Sequence, residues 1–248
     1  MNPYASWCDE FGVTVYVHSR LDMPTNRETI LHFFEAVHKG QPSLTDFDKR
    51  GEDEYFLEED RESGTYRWVS LDRRRLSCGY VNPPTLESAD EHIHRILELA
   101  PYYLDLSSLA TDSMDVMYYF DLIYQGNHDQ LVMEALSGGT PLESFGQLAG
   151  VRVLHYQPTI TLALDESFQL QARLSVETRS SIYHLRTGQT PPESPISIYL
   201  TVRQFWHRQP PASFVEAYQQ QRRLLEELVQ GHVLPQVLQP LARAIRAQ

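Results

Sequence analysis

The densest group of cationic side chains in the sequence is Arg73, Arg74 and Arg75, which directly follow Asp72. Arginine clusters bind phosphates and carboxylates because each guanidinium donates several hydrogen bonds in a fixed geometry. The cluster stands between two strand-like segments, which predicts a hairpin turn. Such a turn either contacts an anion or only keeps the surface soluble. Asp72 partly neutralises the positive charge of the cluster. We keep the three arginines as possible anion contacts.

A calcium-like pattern occurs at Asp46 and Asp48, which are followed by a glycine at position 51. An EF-hand loop needs oxygen ligands at its fifth and twelfth positions, and Arg50 and Leu57 stand there instead. The acidic residues that follow are typical of a solvated surface. We therefore expect no calcium site in this segment.

Histidine patterns give no convincing metal site either. His92 and His94 are two residues apart in a segment with a helical pattern, so their side chains point in different directions. Glu28, His32 and Glu35 share one helix face, which an exposed polar network explains as well as a ligand set does. We expect no metal and no cofactor.

Motifs of nucleophilic catalysis are missing from the sequence. Gly138-Gly139 lacks the Lys-Ser/Thr of a phosphate-binding loop, and the chain has no Gly-x-Ser-x-Gly turn. Cys78 lies in a strand-like segment and is predicted to be buried and structural, and Cys8 has no local signature of a nucleophile. Whether the protein is an enzyme stays open, with the balance towards a non-enzymatic protein.

The best candidate site lies on strands. Segments 13–19, 168–177 and 196–205 alternate apolar and polar residues, a pattern of strands that are buried on one face only. Their polar sides carry tyrosine and arginine, which interfaces favour. The predicted binding surface consists of Tyr16, His18, Arg173, Glu177, Tyr199 and Arg203. Any antiparallel sheet has a wet face, so an ordinary solvated surface is the competing interpretation.

The order of elements predicts an α+β fold. Residues 1–110 and 111–248 each follow a β-α-β-β-β-α pattern, which predicts two halves fused into one unit with approximate twofold symmetry. Runs of strands followed by helices indicate an antiparallel sheet with helices on one face, and fusion of the two halves would make it one curved sheet. This order is similar, by analogy only, to the duplicated saddle of the TATA-binding protein, and a shared fold does not imply a shared function.

An internal duplication is also indicated by residues 35–47 and 134–145, which share Glu-Ala, Gly-x-Pro, Leu and Phe in the same order. Gly40 and Gly139 are predicted to take left-handed conformations after helices, although unrelated helix ends can converge on this pattern. The Pro210-Pro211 pair follows strand 196–205 and leads into the last helix. With this arrangement the chain resembles an uncharacterised family of bacterial proteins of about 250 residues. That resemblance implies no activity.

Composition limits the classes of partner. The chain has 248 residues, and 21 Lys and Arg against 33 Asp and Glu give a net charge of −12. Non-specific nucleic-acid binding needs a basic surface, so the acidic balance argues against nucleic acid as a partner. The sequence has no long apolar stretch and no basic, apolar leader at its start. With only two cysteines and no disulfide framework, we expect a cytoplasmic protein without a membrane segment.

These observations favour a binding or interaction module that uses the open sheet face to bind a protein or peptide. A homodimer through the sheet face or the C-terminal helix is possible. The alternative is an enzyme or small-molecule binder with a pocket between sheet and helices, built from His18, Glu177 and Tyr119. The third possibility is nucleic-acid binding on the saddle through Arg67, Arg173 and Arg203.

Overall fold

The computed structural model describes residues 3–51, 54–187, 194–207 and 210–247. The strands are β1 (Glu10–Ser19), β2 (Asp46–Arg50), β3 (Glu54–Glu58), β4 (Tyr66–Asp72), β5 (Arg75–Val81), β6 (Thr111–Ile123), β7 (Thr159–Ala163), β8 (Leu170–Glu177) and β9 (Pro195–Phe205). They form one antiparallel sheet in the order β2-β3-β4-β5-β1-β6-β9-β8-β7. The predicted α+β class with an open antiparallel sheet is therefore confirmed.

The helices are α1 (Arg27–Gly40), α2 (Leu86–Tyr103), α3 (His128–Leu136), α4 (Glu143–Gly146), α5 (Ile182–Thr187), α6 (Phe214–Leu228) and α7 (Gln239–Arg246). A π-helical segment, Val229–Leu238, joins α6 to α7. Pro235 lies inside this segment. Proline removes the i→i−4 hydrogen bond of an α-helix, and the wide π turns do not use that bond. In the described part of the chain, the helices are too short or too polar to cross a membrane.

One face of the sheet forms the hydrophobic core. Val13, Val15 and Val17 of β1 are buried, as their alternation with Thr14, Tyr16 and His18 predicts. Helix α2 packs against β5, and α6 packs against β6 and β9. Helix α1 buries an apolar stripe and packs against α2. Every other side chain of the central strands is therefore fixed on the opposite, open face.

The strand order is symmetric about the central pair β1–β6. Moving outwards, β5, β4 and β3 on one side correspond to β9, β8 and β7 on the other. The first half has one strand more than its predicted pattern, because β2 pairs with β3 at the edge. This strand was missed because its sequence, Asp-Phe-Asp-Lys-Arg, has a single apolar residue and no buried face.

The repeated glycine motif has different local structures in the two halves. Gly139 has a φ of +73° and is left-handed, as predicted. The prediction for Gly40 is wrong, because Gly40 is the last residue of α1, its φ is not positive, and Gln41 follows it as the C-cap. A Cβ on Gly40 would lie 2.8 Å from Nε of Arg95, an exposed side chain that can move to make room. The duplication stays a prediction.

We predict that Leu200→Ala lowers the free energy of unfolding by about 2–5 kcal/mol, because it leaves a cavity in the core. Leu200 is 3% exposed and lies on β9, between Tyr118 of β6 and Leu174 of β8. Leu109, which is 76% exposed, provides the matched control. Leu109→Ala is expected to change the free energy by less than about 0.5 kcal/mol. Denaturant unfolding of both variants measures the difference, and equal losses would contradict the described core.

Candidate binding site on the open sheet face

A groove of about 470 Å³ lies on the open face over β6, β9, β8 and β7. Five of the six residues predicted for the binding surface line it, and they are Tyr16, Arg173, Glu177, Tyr199 and Arg203. The sixth, His18, stands beside the groove and reaches Asp115, which also lines it. The structure thus brings together residues that are more than 180 positions apart in the sequence, between 16 and 203.

Asp115 is the central charged residue of the groove and was missed by the sequence analysis. It lies directly across from Tyr16 on β1 and from Arg203 on β9. Its carboxylate accepts hydrogen bonds from Nε and Nη2 of Arg203 at 2.7 and 2.5 Å. Nε2 of His18 lies 3.5 Å from the same carboxylate. The sequence does carry a signal for this carboxylate, because an aspartate stands between Met114 and Val116, which are both buried.

Burial alone would raise the pKa of the Asp115 carboxyl, because burial disfavours the charged form. The hydrogen bonds and positive charges of Arg203 and His18 outweigh this effect, and the net pKa lies below its ordinary value. Asp115 is therefore an anion at neutral pH. It holds Arg203 in a bidentate pair, which fixes the plane of the guanidinium.

Arg173 differs from Arg203 in having no ion pair with any described residue. It is exposed on β8, and its cross-strand neighbours are Thr161 on β7 and Thr201 on β9. Glu177, farther along β8, pairs with Arg179 at 3.2 Å. Among the described residues of the groove, the Arg173 guanidinium is therefore unpaired and the Glu177 carboxylate is paired.

A second group of polar side chains lies along β6, beyond the groove. The hydroxyl of Tyr119 donates a hydrogen bond of 3.0 Å to Oε1 of Glu10. The ring of Tyr119 lies across β1 where Gly12 leaves space, because a Cβ on Gly12 would be 2.0 Å from that ring. Burial, Glu10 and Asp9 raise the pKa of Asp121 to about 6, although Ser197 and Arg179 act in the opposite direction.

An aromatic depression of about 300 Å³ lies on the other half of the open face. Arg50 stands 4.1 Å from the ring centre of Phe56, and Arg75 stands 5.6 Å from that of Tyr16. Tyr16 lines both this depression and the groove, so the two are continuous across the central strands. The aromatic side chains that line it are Tyr16, Phe56, Tyr66 and Trp68.

The arginines of the β4–β5 turn pair with carboxylates of the chain itself. Arg73 and Arg74 lie 2.7 and 2.6 Å from Asp22, and Arg75 lies 2.9 Å from Asp72. The predicted hairpin turn is confirmed, because Arg73 and Arg74 separate β4 from β5. Asp22 was missed because it is far away in the sequence. Contact with an external anion at this turn stays a prediction.

Two placements from the sequence analysis are wrong. Arg67 does not lie on the open face with Arg173, because it stands across from the buried Tyr80 on the helix side and pairs with Glu59 at 2.6 Å. His18, Glu177 and Tyr119 do not line a pocket between sheet and helices. Strand alternation places all three on the open face, opposite the buried residues of β1, β8 and β6.

His92 and the two cysteines lie in the interior of the fold. His92 is buried, its Nδ1 lies 2.8 Å from Oε1 of Gln41, and its Nε2 lies 3.2 Å from the Trp68 carbonyl oxygen. Burial lowers the pKa of His92 to about 4, so it is neutral near pH 7. Cys8 and Cys78 are both buried and are not joined by a disulfide bond. Burial raises the pKa of Cys78, as expected for the predicted structural cysteine.

Comparison with known proteins adds no functional assignment. No protein-family model and no curated protein matches this sequence. The function of the groove therefore has to be inferred from its own side chains.

We predict that Asp121→Asn and Asp115→Asn change stability in opposite directions at pH 7. The raised pKa of Asp121 penalises its charged form, so Asp121→Asn is expected to add about 1–3 kcal/mol to the free energy of unfolding above pH 6. This gain should shrink as the pH falls through 6 and be nearly lost at pH 4, where the carboxyl is protonated in the folded state and about half protonated in the unfolded state. Denaturant unfolding between pH 4 and pH 8 measures it, and a gain independent of pH would contradict the assignment.

Asp115→Asn provides the opposite case. The lowered pKa of Asp115 means that its charge stabilises the fold above its ordinary pKa, and that this stability is lost as the pH falls through the lowered value. The variant should therefore be less stable than the wild type at pH 7, and the difference should shrink in acid. A loss that grows towards acid pH would show that Asp115 is not held as an anion.

Proposed function

We propose that the protein is a non-enzymatic binding module whose open-face groove binds a short extended segment of a partner polypeptide carrying one or two carboxylates. The observation that carries this proposal is the exposed guanidinium of Arg173, which has no ion pair with any described residue, in a groove that also contains a fixed Arg203. Guanidinium groups pair with carboxylates through two parallel hydrogen bonds. The groove thus offers the guanidinium of Arg173, and beside it the oriented guanidinium of Arg203, whose charge Asp115 balances.

The spacing of the two arginines suits an extended chain. Gln171 is paired with Arg203 and Arg173 with Thr201, so Arg173 and Arg203 are diagonal neighbours on one face. Diagonal neighbours are about 7–8 Å apart. Alternate side chains of an extended peptide repeat at about 6.6–6.8 Å. Two acidic residues separated by one position can therefore reach both guanidinium groups.

The fixed geometry of Arg203 reduces the ordering cost of binding. Asp115 engages Nε and Nη2 of Arg203 and leaves Nη1 available. The Arg203 side chain is still 44% exposed, so a ligand can reach it. A side chain that is already ordered loses less entropy on binding than a free one.

Tyr16 and Tyr199 extend the groove with rings that have both an apolar surface and a hydroxyl group. Tyrosine is frequent in interface hot spots because it buries area at a low entropic cost. Glu177, at another position in the groove, repels a carboxylate and favours a basic or neutral residue there. This charge pattern would set the direction of a bound segment.

The net charge of −12 favours such a ligand over a long polyanion. Nucleic-acid binding gains most of its free energy from neutralised phosphates, and an acidic protein repels them. One or two carboxylates on an otherwise neutral or basic segment avoid this repulsion.

A catalytic function is a second candidate, favoured by one observation. His18 lies 3.5 Å from the ionised Asp115, the arrangement that orients an imidazole as a general base. An enzyme that uses His18 as its general base should lose turnover in His18→Gln while it still binds ligand, whereas a binding module shows no turnover in either form. Arg203, however, already donates two hydrogen bonds to the Asp115 carboxylate. This arrangement favours the binding function, because Asp115 is engaged by Arg203 rather than by His18.

We predict that selection from a random peptide library on the wild-type protein enriches peptides with one or two acidic residues. Arg173→Glu should weaken the binding of an enriched peptide at least tenfold, because it replaces attraction by repulsion in the groove. Isothermal titration calorimetry measures both affinities. Arg203 is unsuitable for this test, since its removal would leave the buried Asp115 without its main partner.

Arg223→Glu is the matched control, because Arg223 is equally an exposed arginine but lies on α6, away from the groove. It should leave the affinity unchanged. Equal affinities of the wild type and Arg173→Glu, or an equal loss in both variants, would overturn the proposal.

A further inference from the structure

Strand β7 forms one edge of the sheet, and all five of its residues are exposed. Its sequence, Thr-Ile-Thr-Leu-Ala, is uncharged and rich in residues that favour strands. Natural proteins protect such edges with charges, proline or bulges, because an open edge pairs readily with another strand. None of these protections occurs within β7.

The hydrogen-bond pattern shows which backbone groups of β7 are free. The N–H of Leu164 donates to the Leu170 carbonyl, just beyond one end of the strand. The N–H of Val176 donates to the Pro158 carbonyl at the other end. Even-numbered residues therefore bond to β8, since inward and outward groups alternate along an antiparallel strand. The outward N–H and C=O groups belong to Thr159, Thr161 and Ala163.

We propose that two copies of the chain associate by antiparallel pairing of β7 with β7, in a register centred on Thr161. In this register Thr161 faces Thr161 of the second copy, and Thr159 faces Ala163, so every outward backbone group finds a partner. Ile160 faces Leu162 on the other side of the sheet. The sequence of β7 is thus complementary to itself, as a twofold interface requires.

Exposed apolar residues favour a second copy at this edge. Ile160 and Leu162 are 51% and 45% exposed and point to the helix side of the sheet. Residues 142–168, which lead into and out of β7, hold half of the exposed large hydrophobic side chains in the described chain. These are Leu142, Phe145, Leu148, Val151, Leu154, Ile160, Leu162 and Phe168.

The charges of the two sheet edges explain why β7, and not β2, would pair. β2 carries Asp46, Asp48, Lys49 and Arg50, which protect its edge in the way expected of a monomeric surface. The whole chain has a net charge of −12, so two copies repel each other in general. Residues 156–164 contain no charged side chain, and contact there avoids most of this repulsion.

Pairing through β7 would also extend the groove. Thr161 lines the groove and stands next to Arg173. In the dimer, the open faces of both copies would form one continuous sheet, with the two grooves side by side across the twofold axis. A partner with two binding segments would then gain affinity from both grooves at once.

Sedimentation velocity of the ligand-free 248-residue chain over a concentration series tests this proposal. The wild type is expected to form a dimer at micromolar concentrations. Thr161→Pro removes an N–H that points away from β8, and edge strands tolerate proline at such positions. It should therefore weaken the dimer at least tenfold without loss of thermal stability of the monomer. Leu162→Lys should have a similar effect, because it places a charge in the apolar contact on the side away from the groove.

Leu109→Lys is the control, since Leu109 is also exposed but lies outside residues 142–168. It should leave the dimer intact. Hydrogen exchange adds an independent readout, because the amides of Thr159, Thr161 and Ala163 should gain protection as the protein concentration rises. A wild type that stays monomeric, or a dimer that persists in both β7 variants, would overturn the proposal. Neither result depends on a ligand in the groove.

Discussion

Alternation along the strands is the constraint on which the rest of the structure depends. Burying Val13, Val15 and Val17 on the core side leaves Tyr16 and His18 no position except the open face. A shift of one residue in any central strand would exchange the two sets of side chains. The hydrophobic core therefore sets the register of the sheet, and the register sets which side chains form the groove.

Close contacts between neighbouring strands shape the open face. Asp115 is buried but charged because Arg203 on the next strand supplies two hydrogen bonds. Gly12 has no side chain, and the ring of Tyr119 occupies the space that a Cβ would fill. Gly79 leaves room for the ring of Trp68 in the same way. The open face is thus a built surface with fixed aromatic rings and an oriented arginine, and this order favours a binding function over simple solvation.

The sequence predicts this fold where local patterns and burial agree. The alternation in β1, β8 and β9 places Tyr16, Arg173, Glu177, Tyr199 and Arg203 on one face, and the structure brings them into one groove. Residues whose role depends on distant partners could not be found in this way. The pairing of Asp22 with Arg73, of Glu59 with Arg67 and of Asp115 with Arg203 joins segments that have no local signature. β2 was missed because an exposed edge strand needs no apolar alternation.

The central claim is that the open face binds a polypeptide rather than a tightly held small molecule. Native mass spectrometry of the purified protein, compared with its mass after denaturation, tests this claim directly. We expect the native mass to be a whole multiple of the 28.7 kDa chain, with no additional mass. A small-molecule adduct of defined mass, present in the wild type and absent from Arg173→Glu, would contradict the claim and favour an enzyme or small-molecule binder.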